Sequence, residues 1–141
     1  MRRLFILLFP LFLLAAVGAV RADDQIKVVY HMADGIDQAT RGLASIRNHL
    51  RAAPDTKIVV VALGEGIRFM LKGETGRNGR PFDAAVTALA AQGVEFRVCN
   101  NTLTAHNVPQ SRLLPEASLV PAGVVEIARL QAREGYAYIR P

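Results

Sequence analysis

The sequence predicts an α/β fold: three layers, α/β/α, around a mostly parallel sheet of about five strands. Two observations carry that prediction. The strand-like segments are continuous apolar runs, such as KIVVVAL and VEFRVC, which is how strands buried on both faces read. Segments with helical spacing separate them, as crossovers between parallel strands require. No internal repeat, linker or second domain breaks the pattern, so residues 23–141 read as a single domain.

Taken in order, IKVVYH (Ile26–His31) is a short buried strand, and ADGID follows as a loop. Asp37 stands where it could cap the first helix. That helix runs to about Arg51, with Ala39, Leu43, Ile46 and Leu50 on one face. AAPDT ends it, and Lys57–Leu63 is the second strand. GEG (Gly64–Gly66) turns the chain into a short helix over IRFMLKG. ETGRNGRP is a polar, Gly-rich loop. Lys72, Arg77 and Arg80 make this region cationic, as a solvated loop or as a flap that attracts anions. Phe82–Gly93 is a further helix, stopped by Gly93. VEFRVC is the third strand, and NNTLTAHN after it is a helix start or a tight turn. Ser118–Val120 is a short fourth strand. AGVVEIARLQAREG is the clearest helix, stopped by Gly135, and YAYIR is the last strand.

The chain opens MRRLFILLFPLFLLAAVGAVRADD. Arg2 and Arg3 precede an apolar stretch, Leu4–Val20, and Val20 and Ala22 are small residues before Asp23. This is the pattern of a secretory signal peptide over residues 1–22, and it predicts a periplasmic protein. The rival is an uncleaved anchor, against which stand the bare-minimum length of Leu4–Val20 and the Pro10 inside it. The arginine pair lacks the flanking Ser and Lys of a full twin-arginine signal, so Sec and Tat export both stay open. Cleavage removes Arg2, Arg3 and Arg21 and lowers the formal charge from +5 to +2. There is no Lys/Arg run and no interleaving of aromatic and basic residues, so no nucleic-acid partner is predicted. No membrane contact is predicted after cleavage.

A single cysteine excludes an intramolecular disulfide, and leaves a thiol that is buried, paired with another molecule or reactive. Cys99 ends the third strand, at the edge where ligands of open α/β sheets collect. His31, Gly64–Gly66 and Pro121–Gly123 end there too, and share that edge if the first strand is central. Asn100 or Asn101 could cap a following helix, and a helix N-terminus favours thiolate. A cysteine at a strand end is equally a small core hydrophobe, so both readings stay open. His31 and His106 are candidate bases toward Cys99, and His49 reads as a surface residue of the first helix. The three histidines and one cysteine lack metal-ligand spacing, so neither metal nor cofactor is predicted. GEG lacks a phosphate-binding fingerprint. The candidate site is therefore Cys99 with His31, Gly64, Gly66, Asn100, Asn101 and Thr102, the amides around Asn100–Thr102 being placed to stabilise anionic sulfur.

VEFRVCNNTL and VPAGVVEIARLQAREGYAYIRP, with KVVYHM and KIVVVALGEGIRFML upstream, resemble the DsrE/DsrF-like family over nearly all of residues 23–141. The resemblance implies a small three-layer α/β fold and a homo- or hetero-oligomer, often a trimer or hexamer. It places the sulfur-carrying thiol of a cysteine persulfide at Cys99. The best understood relatives act in cytoplasmic relays for sulfur oxidation or tRNA thiolation; an exported protein would draw on periplasmic sulfur compounds instead. Leu63 stands where many relatives carry a His before the Gly of the second-strand turn. The leading expectation is a periplasmic sulfur-binding or sulfur-carrier protein, or sulfurtransferase, with donor and acceptor unspecified. The alternative is a non-catalytic oligomeric module that binds a small ligand or a protein, with a structural or redox-responsive Cys99. Val124, Val125 and Ile127 are expected to supply apolar surface for subunit contacts.

Overall fold

The apolar runs become β1 (Lys27–Met32), β2 (Lys57–Ala62), β3 (Glu95–Cys99), β4 (Ala117–Val120) and β5 (Ala137–Ile139). They form one all-parallel sheet in the order β4-β3-β2-β1-β5. This is seen in a computed structural model, which describes residues 25–141. The expected signal segment, residues 1–22, lies outside the described residues. Helices α1 (Ile36–Ala52), α2 (Asp83–Ala90), α3 (Asn100–Ala105) and α4 (Gly123–Glu134) connect the strands, with 3-10 helices at Gly64–Met70 and Gln110–Arg112. No described helix is long and apolar enough to cross a membrane.

The topology decides which helix covers which face. From β1 to β4 the chain steps in one direction across the sheet, so right-handed crossovers put the connections on one side. Only the step from β4 back to β5 reverses, and it carries α4 to the other side. The packing follows. Val28, Tyr30, Met32, Ile58, Val60, Phe96 and Val98 face α1, the first 3-10 helix, α2 and α3 in the larger core. Val29, Val59 and Val61 face Ile127 and Leu130 of α4, and Tyr136 just after it, in a smaller one.

The structure departs from the sequence reading in several places. β2 is central and β1 lies beside it, because four strands are laid down in sequence before the chain reverses. Gly35, with φ of +84°, takes the cap position of α1, and Asp37 falls in the first turn, paired with Arg77. The short helix after β2 is a 3-10 helix that begins at Gly64 itself. It lies so close to β1 that a Cβ on Gly66 would sit 2.1 Å from the Met32 carbonyl oxygen. α2 stops at Ala90, and a turn leads to Gly93. Ile127 is 8% exposed and belongs to the core, whereas Val124 and Val125 are 62% and 63% exposed. The apolar outer surface of α4 thus excludes Ile127.

Candidate functional site

Strand β3 passes into α3 with no residue between them, so Cys99 is at once the last residue of the strand and the N-cap of the helix. Asn100 and Asn101, expected as caps, are the first two helical residues instead. Cys99 lies on the α4 side of the sheet, two residues beyond Arg97. Directly above it begins α4. A Cβ on Gly123 would lie 3.3 Å from the Cys99 Cβ and 2.9 Å from Leu63 Cδ2, so only glycine lets α4 start this close. The N-termini of α3 and α4 therefore meet at one sulfur atom.

Four donors bear on the Cys99 thiol and lower its pKa: the Thr102 hydroxyl and the backbone N–H groups of Gly123, Thr102 and Asn101. Burial is the largest single influence on the thiol and pushes its pKa up. The four donors together outweigh it, and the net effect is a pKa below that of an ordinary cysteine, the direction expected for a thiolate at a helix N-terminus. The Thr102 hydroxyl is oriented for this role. Its oxygen accepts the Gly64 N–H at 3.0 Å, which leaves its proton for the sulfur. The Asn101 amide also bonds to the Pro121 carbonyl, at 3.2 Å, and ties the turn before α4 to the start of α3.

Below the thiol, an ion network holds α4 to the sheet. Arg97 on β3 pairs with Glu126, one turn along α4 from Gly123, and with Glu95. Glu126 also accepts from Arg129, at 2.8 and 2.9 Å, and Arg129 pairs with Glu134. The Arg129 hydrogen bonds, and then those of Arg97 against the opposing effect of burial, hold the Glu126 carboxyl below the usual carboxylate range. Arg97 and Glu126 are largely buried, and each satisfies the other, as buried charges require.

The remaining candidates divide. Gly64 joins the site through Thr102. Gly66 shapes the close approach of the 3-10 helix to β1 and does not reach the thiol. Asn101 contributes its amide. The Asn100 side chain turns the other way, toward Gln110 Nε2 at 3.5 Å. His31 shares the sheet face with Cys99 but sits in the register row of Val61 and Arg97. It is two strands away from β3 and two residues lower, roughly 12 Å from Cys99 by strand spacing and rise. Its Nδ1 lies 2.7 Å from the Tyr138 hydroxyl, and its Nε2 is buried without a partner. Burial first, and then Arg140, lower its pKa, with Asp34 opposing. His106 follows α3 and lies 3.8 Å from the exposed Glu65 carboxylate. His49 is half-buried, 3.0 Å from the Tyr30 hydroxyl, and not simply a surface residue.

The structure also gives the exposure and engagement of these groups. Cys99 is only 5% exposed, so the thiol is sheltered rather than held out to solvent. Two of the three loop cations are engaged, Lys72 with the Ser111 carbonyl and Arg77 with Asp37. Gly123 is a site residue that the sequence does not single out, although the PAG turn falls at the right edge. Its signal is a glycine opening the clearest helix just after a strand. Among the described residues, no group of three or more His, Cys, Asp and Glu side chains gathers as a metal site would need.

The profile of the DsrE/DsrF-like family matches residues 12–141. Among solved structures, a protein of unknown function, MTH1491 from Methanobacterium thermoautotrophicum, is similar at 31% identity and a TM-score of 0.73, covering 83% of this chain and 100% of that one. The ychN protein from E. coli shares the fold at 14% identity and a TM-score of 0.66, covering 83% of this chain and 99% of that one. Among curated proteins, none matches.

Proposed function

This chain belongs to the DsrE/DsrF-like family, and from that premise we propose that it is a sulfur carrier whose Cys99 holds sulfane sulfur as a persulfide. The observation that supports this most is the convergence of four donors on one sulfur. Donors fixed in advance around an anion stabilise it without reorganising. The family supplies a sulfur-relay-type fold, and the donors supply a reason for a thiolate within it.

The chemistry balances without an oxidant. The Cys99 thiolate attacks the terminal sulfane sulfur of a polysulfide or of thiosulfate. A new S–S bond forms, the donor's S–S bond breaks, and a polysulfide anion one sulfur shorter, or sulfite, leaves with the bonding pair. The persulfide keeps one negative charge, within reach of the same donors. An acceptor thiolate then attacks the outer sulfur, and Cys99 departs as thiolate. In this reading residues 1–22 direct the chain to the periplasm, and the exposed Val124 and Val125 join copies into a trimer or hexamer.

Exposure to polysulfide, followed by intact-mass measurement, should add one sulfur to the wild type and none to Cys99→Ser. A thiol that reacts only after denaturation would refute carriage. The low exposure of Cys99 favours a second reading, a binding module in which the thiol is structural. That reading survives the refuting result.

A further inference from the structure

A cleft of about 450 Å³ opens between α1, the loop of residues 74–81 and the start of α2, away from Cys99. Its lining combines apolar residues, Leu43, Phe82 and Ala85, with two arginines, Arg47 from α1 and Arg80 from the loop. Neither guanidinium has a hydrogen-bond or ion-pair partner among the described residues. Other arginines nearby are engaged: Arg77 with Asp37, and Arg68 with Glu74. No carboxylate lines the cleft.

The cleft is held by defined structure. Thr75 bridges to Pro81, and the Gly76 amide donates to the Arg80 carbonyl at 2.9 Å, which closes the loop beneath its arginine. α2 begins here without a side-chain cap. Its first intrahelical bond runs from the Val86 amide to the Phe82 carbonyl, so the amides of Ala84 and Ala85, both lining residues, precede the helical ladder. They add positive potential to that of the arginines. Asp83 is the acid of this turn, and it does not line the cleft.

We propose that this cleft binds a small organic anion, with its carboxylate, sulfonate or phosphate engaged by Arg47 and Arg80 and its apolar body laid on Leu43, Phe82 and Ala85. A bare inorganic anion would make no use of the apolar part of the lining, and a neutral apolar molecule would leave both charges unused. Two cations are too few to follow a nucleic-acid backbone. The site is independent of sulfur carriage at Cys99.

Calorimetric titration with naphthalene-1-sulfonate tests this, with sulfate and 1-naphthol as the anion-only and apolar-only controls. The sulfonate should bind saturably, one per chain, about tenfold or more tighter than either control. Arg47→Ala with Arg80→Ala should weaken it by at least about tenfold, since removing each charge-assisted hydrogen bond changes affinity several-fold. Both arginines are exposed, so the double variant should keep the wild-type circular dichroism. Cys99→Ser should bind as the wild type does. Sulfonate binding no tighter than sulfate, or unchanged in the double variant, would overturn the proposal.

Discussion

The two faces of the sheet are built differently. The face under α1 and α2 is closed by a continuous apolar core, in which Phe69 meets Phe82 and Phe96 edge-on at 6.1 and 6.2 Å. The face under α4 has a small apolar centre and a polar flank: His31 beside Tyr138, and Arg97 locked to Glu126. Three crossovers cover the first face and one covers the second. The first face thus supplies most of the apolar burial that stabilises the fold. The second holds the thiol and the charges that keep α4 against it. The thiol and the buried ion pair sit where coverage is thin enough to leave polar groups at the sheet.

The sharpest way to break this comparison is to cut one core residue from each face. Phe69→Ala should lower unfolding free energy by about 3–5 kcal/mol and Ile127→Ala by about 2 kcal/mol, measured by urea denaturation. Equal losses would mean that the faces share the load. Next comes Glu126→Gln, which leaves Arg97 short of a buried partner and should cost roughly 1–3 kcal/mol. Its pH signature has a definite sign. The folded-state pKa of Glu126 is depressed, so its stabilisation is complete above the unfolded value of about 4.3. It is lost as pH falls through the folded value. The variant should therefore lose less stability than the wild type on acidification below about pH 5.

Smaller in energy, but closer to the chemistry, are changes to the donors themselves. Thr102→Val removes the hydroxyl donor and strands the Gly64 N–H, at about 1–2 kcal/mol. Gly123→Ala should push the first turn of α4 off Leu63 and Cys99. Both should move the pH midpoint of Cys99 alkylation up, toward the value of about 8.5 for a free cysteine, from a wild-type midpoint below it. Unmoved midpoints would mean that the second face does not tune the thiol. The smallest effect on stability is expected for the exposed Val125→Glu, within about 0.5 kcal/mol. It should nonetheless reduce the particle size seen by light scattering if α4 forms the subunit contact.

The elements of this fold are legible because each is a local pattern. Continuous runs such as Lys57–Ala62 announce buried parallel strands, and Gly135 announces the end of α4, where it takes φ of +74°. The position of Cys99 at a strand end is legible for the same reason. Its burial is not, because what shelters it comes from α4, more than twenty residues later.

What the sequence alone determined, then, is the alternation of strand and helix and the place of the thiol at the end of β3. Runs and breakers act within a few residues, and their physics is local. The tertiary structure decided everything that joins distant residues. It set β2 rather than β1 at the centre and moved His31 two strands from Cys99. It brought Gly123 to the thiol and Glu126 to Arg97. These follow from four strands laid down in one direction and one reversal between β4 and β5. Crossover handedness converts that reversal into a helix on the far face, with its N-terminus against the sulfur.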